Sequence, residues 1–275
     1  MMKEIQVNQS EAGKAPASLS FMQNQVAYLD NFRGLEWAHA YKMRSFQYLD
    51  VEPGDCILEV GCGAGNDSLA LAQMVGPTGR VVGIDAGKDM ISEAKKRAEN
   101  SNLPVEFFVQ DACSLDFPDN TFDGCRADQV FQHVGDPRKG VSEVIRVARP
   151  GARIVICDPD WETLAIDSAN KEVTRKIVNY RADIFRSGWI GRQLAGLFKS
   201  LGLADVFVSA DVFVVTDFSL ANKLWRLRDT AGQAIKAGAI SEQDASDWIS
   251  QLEEADRNGL FFGCVTGVAA VGKKP

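Results

Sequence analysis

The segment ILEVGCGAGND, residues 57–67, places glycines at Gly61, Gly63 and Gly65 directly after an apolar run. Glycine permits backbone conformations closed to other residues, and its missing Cβ lets a ligand approach the main chain. A helix expected to begin near Asn66 would point its free N–H groups at the same ligand. The segment therefore predicts a ligand-binding loop between a strand and a helix.

The spacing of these glycines distinguishes two kinds of ligand. A dinucleotide-binding loop has the pattern G-x-G-x-x-G, which is sized for a pyrophosphate. Here the pattern is G-x-G-x-G, and Glu59 precedes it. A carboxylate beside the loop disfavours a diphosphate and favours an ammonium group. The structural alternative is a tight strand-to-helix turn that binds no ligand.

Two further acids follow the next expected strands. Asp85 ends RVVGID, where an acid can accept hydrogen bonds from both hydroxyls of a ribose. Asp111 ends VEFFVQDA, where it can accept from an adenine amine while Ala112 offers a backbone N–H to the ring. A ligand with an ammonium, a ribose and an adenine, and without a required phosphate, is S-adenosylmethionine.

The elements that position these residues alternate along the chain. CILEVG, RVVGID, VEFFVQDA, FDGCRADQV and ARIVICDPD are strand-like, and most are separated by amphipathic helical segments. This alternation predicts βαβ crossovers and a parallel sheet. After Asp160 the expected order is two helices, the strand ADVFVSADVFVVT, the helices SLANKLWRLRDTAGQAIKAG and SEQDASDWISQLEEADRN, and a final strand. Ser241 is the expected N-cap of the last helix.

Five motifs in order resemble class I S-adenosylmethionine-dependent methyltransferases: LEVGCGAG, VVGID, VQDA, FPDNTFDGCRADQVFQHV and RVARPGARIVI. The subgroup resembled is the small-molecule enzymes related to quinone-biosynthesis methyltransferases, over residues 51–160. Ala152 departs from the second glycine common there. DPDWETLAID is similar to a branch of bacterial specialised-metabolite methyltransferases.

The resemblance implies an α/β fold with a Rossmann-like, seven-stranded, mostly parallel sheet and helices on both faces. It also implies an N-terminal helical lid and a helical cap inserted late in the chain. The expected organisation is a mobile tail over residues 1–20, a lid over 21–50 formed by two helices with a break near Gly34, a cofactor-binding core over 51–160, and cap helices with the last strands over 161–275.

The resemblance also implies a set of cofactor contacts. They are Glu59, Gly61, Cys62, Gly63, Gly65, Asp67, Asp85, Ala86, Met90, Asp111, Ala112 and Arg126, with Tyr28 and Arg44 from the lid. A helix N-cap explains Asp67 equally well. Arg126 has the alternatives of steering an anionic group or pairing with Asp128 or Asp158.

His133 follows the fourth strand and is the candidate base, because a histidine pKa lies near operating pH and a neutral O or N acceptor must lose a proton. Its alternatives are packing against the cofactor or capping the next helix. The candidate acceptor contacts are aromatic or acidic side chains: Trp37, Asp158, Trp161, Tyr180 and Trp189. Trp161 either stacks on an aromatic acceptor or anchors the cap.

Composition limits the partners. The formal net charge is -7 without a clustered basic patch, which argues against nucleic acid. The six cysteines form no C-x-x-C pair and there are two histidines, so neither a metal site nor a disulfide scaffold is expected. No signal peptide or membrane-spanning run is apparent. The expectation is a cytoplasmic monomer or homodimer.

The predicted activity is methyl transfer from S-adenosylmethionine to an O, N or C atom of a small molecule, either a specialised metabolite or a quinone-like aromatic. An NAD(P)-dependent oxidoreductase is one alternative, against which the glycine spacing and Glu59 argue. A non-catalytic cofactor-binding regulator or partner subunit is the other.

Overall fold

The computed structural model describes residues 34–275. The expected tail, the first lid helix and Tyr28 lie outside these residues. Within them the strands are β1 Cys56–Val60, β2 Arg80–Asp85, β3 Val105–Val109, β4 Phe122–Asp128, β5 Ala148–Ile166, β6 Ala204–Val215 and β7 Gly263–Lys273. The helices are α1 Glu36–Leu49, α2 Asn66–Val75, α3 Lys88–Ala98, α4 Pro137–Val147, α5 Lys171–Asp183, α6 Ile190–Ser200, α7 Phe218–Trp225, α8 Leu227–Lys236 and α9 Glu242–Arg257, with a 3₁₀ turn at Phe131–His133.

The strands form one seven-stranded sheet in the order β3-β2-β1-β4-β5-β7-β6. The strand pairs from β3 through β5 are parallel, whereas β7 runs antiparallel to both β5 and β6. Successive β1 residues enter different cores: Ile57 packs with α1 and α2 residues, and Leu58 packs with α4 and α6 residues. Burial on both faces explains the near-continuous apolar strands. The predicted Rossmann-like, mostly parallel architecture is confirmed.

The strand register brings the expected site residues to one edge of the sheet. Val60 pairs with Ile84 of β2 and with Ala127 of β4. The residues that follow, Gly61, Asp85 and Asp128, therefore lie at the same level, where β1, β2 and β4 end. Asp128 pairs in turn with Cys157, so Asp158 comes next on β5.

The fifth strand is longer than expected. It does not end at Asp160 but continues to Ile166, because β7 pairs along it as far as the Ile166–Gly263 pair. An irregularity between Asp160 and Ala165 interrupts that pairing. Trp161 therefore lies within a bent strand rather than in a loop.

The late helical cap also contains one more break than expected. SLANKLWRLRDTAGQAIKAG forms two helices, α7 and α8, separated by Arg226 in the left-handed region at φ 51°. The break allows Trp225 and Leu227, on either side of it, both to be buried. The predicted N-cap Ser241 of α9 is confirmed, and it forms a full capping box with Asp244.

Candidate active site

The glycine loop follows β1 with left-handed backbone at Gly61, Gly63 and Gly65. A Cβ on Gly61 would lie 2.2 Å from Cγ2 of Val130. A Cβ on Gly65 would lie 2.8 Å from the Phe107 ring. Packing alone therefore requires glycine at these two positions. The backbone N–H of Cys62, itself buried, donates to the Ile84 carbonyl at 2.8 Å and ties the loop to β2.

Asp85 connects the loops that follow β1 and β2. Its Oδ2 accepts from the Gly63 backbone N–H at 3.0 Å, and its Oδ1 accepts from that of Gly87 at 2.7 Å. Each carboxylate oxygen retains a further lone pair. Ala86 beside it is exposed, and Met90 is buried in the first turn of α3. The carboxylate is thus fixed in place at the strand end where a ribose acceptor was predicted.

Asp111 lies beyond the end of β3. It is exposed, and its Oδ1 accepts from the Cys113 backbone N–H at 2.9 Å. This contact closes the local turn that contains the half-buried Ala112. Adenine binding by these two residues stays a prediction.

Arg126 is the centre of a buried ion cluster on the face of the sheet toward α1. Glu59 is its register partner on β1, and Arg126 Nη1 donates to Glu59 Oε1 at 2.5 Å. Its Nη2 donates to Asp128 at 3.0 Å, and its Nε donates to the Ser45 hydroxyl at 2.8 Å. The predicted pairing with Asp128 is present, whereas no such contact joins Arg126 to Asp158. Direct contact of Arg126 with the cofactor stays a prediction.

Lys42 of α1 completes this cluster. Its Nζ contacts Asp67 and lies 2.9 Å from Asp128 Oδ2. Although burial opposes ionisation of Asp67, the charges of Lys42 and Arg126 hold the pKa of its carboxyl below the usual range. The N-cap interpretation of Asp67 is wrong, because Gly65 occupies the N-cap of α2 and no side chain caps this helix. Asp67 instead joins α2 to α1.

Glu59 is the least satisfied member of the cluster. Its Oε2 is buried and has no hydrogen-bond partner within residues 34–275. Burial raises the pKa of Glu59 to about 8, against the opposing charge of Arg126. Glu59, Asp67 and Asp128 face only Lys42 and Arg126 in this cluster, so one carboxylate lacks a matching cation.

His133 lies on the 3₁₀ turn after β4, with its ring centroid 5.4 Å from that of Phe185. Partial burial and the charge of Arg181 lower the pKa of His133, which favours its neutral imidazole. The helix-capping alternative is wrong, because Asp136 caps α4. Asp158 holds the turn itself, since its carboxylate accepts from the Phe131 and Gln132 backbone N–H groups.

A cavity of about 580 Å³, including its open mouth, lies between α1, α7 and residues of β5 to β7, beside the end of β4. Its wall is mainly aromatic and apolar, with a few acids: Trp37, Tyr41, Asp128, Gln129, Cys157, Asp158, Pro159, Trp161, Asp211, Phe213, Leu224, Trp225, Val265, Gly267, Val268 and Ala269. Of the candidate acceptor contacts, the wall includes Trp37, Asp158 and Trp161. His133 is not part of it.

Three candidate contacts lie elsewhere. Trp189 is 45% exposed and stacks against Arg192 on the surface. Tyr180, on α5, is half-buried and packs against the core. Arg44 pairs with Asp211 at 2.5 Å on β6, the strand at the opposite side of the sheet from β3, and its contact with the cofactor stays a prediction.

Trp161 anchors the cap, as one of its two interpretations predicts. Its indole N–H donates to the Gln132 side chain at 2.6 Å, and its ring stacks on Phe185 with centroids 4.8 Å apart. Sequence reasoning missed Lys42 and Phe213. The alternation of β6 would have suggested a buried face for Phe213, but no local signal marks Lys42.

Two classes of site find no support among the described residues. No group of His, Cys, Asp and Glu side chains there is arranged to hold a metal ion. No helix in residues 34–275 has the length and apolar character needed to cross a membrane. All six cysteines are free thiols.

Comparison with known proteins identifies the fold around this site. Residues 52–197, more than half of the chain, match the methyltransferase domain family. The chain belongs to this family. This methyltransferase is an S-adenosylmethionine-dependent enzyme, which confirms the predicted cofactor and class and disfavours the oxidoreductase and regulator alternatives.

The methyltransferase is 38% identical over 249 residues to an uncharacterized 37.1 kDa protein in transposon Tn4556 of Streptomyces fradiae, covering 90% of this chain and 70% of that protein. It is 33% identical over 132 residues to 2-phytyl-1,4-naphtoquinone methyltransferase of Synechocystis, covering 47% of this chain and 56% of that protein. It thus spans only about half the length of this quinone relative. Among solved structures, the YcgJ protein of Bacillus subtilis has a TM-score of 0.60 at 23% identity, with 86% of this chain and 98% of that chain covered.

Proposed function

We propose that this enzyme methylates a small molecule bound in the aromatic cavity. The observation that carries this proposal is the position of Asp128. Its carboxylate belongs to the ion cluster behind the glycine loop and also lines the cavity. The expected cofactor loop and the cavity therefore adjoin at one edge of the sheet, where open α/β sheets bind their ligands.

The residues around the loop fit the cofactor. S-adenosylmethionine supplies a methyl group bonded to a sulfonium sulfur. The thioether that remains when the methyl group is transferred is an excellent leaving group. The free lone pairs of Asp85 suit ribose hydroxyls, and the N-terminus of α2, which no side chain caps, suits a carboxylate. The Glu59 oxygen without a partner among the described residues, in a cluster of three carboxyl groups and two cations, suits an ammonium group.

The chain's contribution is then mainly positioning. Methyl transfer gains most from holding the acceptor in line with the methyl group, and the aromatic walls of the cavity can do this for a flat ring. A neutral acceptor also loses a proton, and two groups are available. His133, on the 3₁₀ turn after β4, remains our candidate base, and Asp158 is an acid in the cavity wall.

Our proposals for the acceptor class, the methylated atom and the roles of the chain segments extend the predictions made from the sequence. The 33% identity to a naphthoquinone methyltransferase supports a quinone-like aromatic acceptor, and a specialised metabolite is the other candidate class. We propose O, N or C methylation, with residues 21–50 as a lid, 51–160 as the cofactor core and 161–275 as cap and last strands. α1 supports the lid assignment, because its Trp37 and Tyr41 line the cavity.

A matched pair of tryptophan variants tests this function. Trp37→Ala removes a ring from the cavity wall, whereas Trp189→Ala removes one from the surface. Incubation with S-adenosylmethionine and a panel of aromatic phenols, amines and quinols, followed by mass spectrometry, should show product loss of at least tenfold for Trp37→Ala only. Both variants should bind S-adenosylhomocysteine like the wild type. Full turnover by Trp37→Ala would contradict the cavity as acceptor site.

A further inference from the structure

The charges around the aromatic cavity are unevenly distributed. Three acidic residues line it, Asp128, Asp158 and Asp211, whereas no Lys, Arg or His residue lines it within the described part of the chain. An anionic acceptor would therefore meet acids but no cation in this wall, and the aromatic faces there also repel negative charge. This wall favours a ligand that is neutral or positive.

Two of the three acids already have cations. Asp128 pairs with Arg126 and Lys42 and also accepts from the Tyr41 hydroxyl at 2.6 Å. Asp211 pairs with Arg44 at 2.5 Å. The charges of these two side chains are therefore neutralised by cations that are not part of the cavity wall.

Asp158 is different. Within residues 34–275 it forms no ion pair, and its carboxylate accepts only from backbone N–H groups of the 3₁₀ turn. It is 2% exposed. Burial, together with a smaller contribution from the charge of Asp128, raises the pKa of Asp158 to about 8, although its backbone hydrogen bonds act in the opposite direction. A cation placed beside Asp158 would stabilise the carboxylate, which burial disfavours, and would therefore ionise the carboxyl.

The rings of the wall supply the second half of a cation site. Trp37 and Phe213 stack with centroids 4.7 Å apart, and Tyr41 lies 5.3 Å from Phe213. Trp225 lines the same cavity. Aromatic faces attract ammonium groups, most strongly where water is excluded. The cavity therefore combines an aromatic cluster with one unneutralised acid.

We propose that the methyl acceptor is an amine, held in this cavity as its ammonium with the charge beside Asp158. This inference rests on the proposed function and narrows it to N-methylation. Before transfer, one proton leaves the ammonium for the Asp158 carboxylate. The freed nitrogen lone pair then forms the N–C bond while the C–S bond breaks, and that electron pair remains on sulfur as a thioether.

The test uses three soluble probes that share a phenyl ring, added to the full-length enzyme saturated with S-adenosylhomocysteine. They are the cation 2-phenylethyltrimethylammonium, the neutral 3-phenylpropan-1-ol and the anion 3-phenylpropanoate. Calorimetric titration should show the cation binding at least tenfold more tightly than the alcohol, and the carboxylate binding more weakly than both. The cation has no titratable proton, so any proton released on binding comes from the protein. Ionisation of Asp158 at pH 7 should release close to one proton, which is measured by comparing the binding enthalpy in different buffers.

Variants show which residues cause the preference for the cation and the proton release. Asp158→Asn should abolish the proton release and the advantage of the cation while retaining affinity for the alcohol. Trp37→Leu should weaken binding of the cation more than binding of the alcohol. Asp205→Asn, an exposed acid on β6 outside the cavity wall, should leave all three affinities unchanged. If Asp158→Asn does not fold, the wild-type proton release and Trp37→Leu still decide the question.

The outcomes separate the two proposals. Equal or tighter binding of the alcohol or the carboxylate would overturn the amine assignment and leave the cavity as the acceptor site. Binding of none of the probes would overturn both the amine assignment and the location of the acceptor.

Discussion

Arg126 shows how one buried side chain can depend on several others. Its guanidinium is fully buried and contacts Glu59, Asp67 and Asp128, and it lies over the Phe46 ring with 4.8 Å to the centroid. Local sequence could suggest a pairing with Asp128, because the two are close in the chain. The contact with Glu59 depends on the register of β1 against β4, which no local pattern encodes.

Loss of Arg126 should therefore destabilise the fold strongly. Arg126→Met leaves three carboxylates near one lysine, and removing one partner of a buried pair typically costs about 3–5 kcal/mol. Arg80→Met removes a cation from the exposed pair with Glu106, which should cost about 1 kcal/mol or less. Urea unfolding followed by circular dichroism compares the two free energies of unfolding. Similar losses in both variants would mean that the cluster is not tightly coupled.

Glu59 should make stability depend on pH. Its pKa in the folded state is about 8, above its value in an unfolded chain, because burial disfavours the carboxylate. The folded state then binds more protons than the unfolded state between the two values, so the free energy of unfolding falls as pH rises toward 8. Glu59→Gln removes this group and should flatten that decline. Unfolding measured from pH 5 to pH 8 tests it, and an unchanged slope in the variant would assign the decline to other groups.

The elements differ in how far local sequence predicts them. β1 and β2 are near-continuous apolar runs, which buried parallel strands require, so their positions follow from the residues. The extension of β5 to Ile166 follows instead from its pairing with β7, a distant segment. The break at Arg226 likewise reflects burial of Trp225 and Leu227 in the cap rather than a helix-ending residue. The aromatic cavity was predicted only in part, because its wall combines α1, β4 to β7 and α7.

The start of α9 is a case where local sequence was sufficient. The Ser241 hydroxyl accepts from the Asp244 backbone N–H at 3.0 Å, and the Asp244 carboxylate accepts from the Ser241 backbone N–H at 3.3 Å. Ser241→Ala should destabilise the protein by about 1 kcal/mol, because α9 buries Trp248 and Leu252 in the cap core. Ser246→Ala, the same change at an exposed position within α9, should be neutral or slightly stabilising. Thermal unfolding of both variants tests the contribution of the Ser241 N-cap to stability, and equal melting temperatures in the two variants would contradict it.

For the whole molecule, cofactor binding should appear as added stability. A ligand that binds only the folded state at a hundred times its Kd adds about 2.7 kcal/mol. S-adenosylhomocysteine should therefore raise the melting temperature, whereas NAD at the same concentration should not. Asp85→Ala removes the predicted ribose acceptor and the link between Gly63 and Gly87. It should weaken binding at least tenfold, which lowers the added stability by about 1.4 kcal/mol.

Asp89→Ala is the matched control for this experiment, because Asp89 is an exposed acid in the first turn of the adjacent α3. It should respond to S-adenosylhomocysteine like the wild type. The comparison is made within each variant, with and without ligand, so a change in the stability of the ligand-free protein does not affect it. An equal response from Asp85→Ala would show that the acid at the end of β2 has only a structural role in joining the two loops. Stabilisation by NAD alone would instead contradict the cofactor assignment for the entire sheet edge.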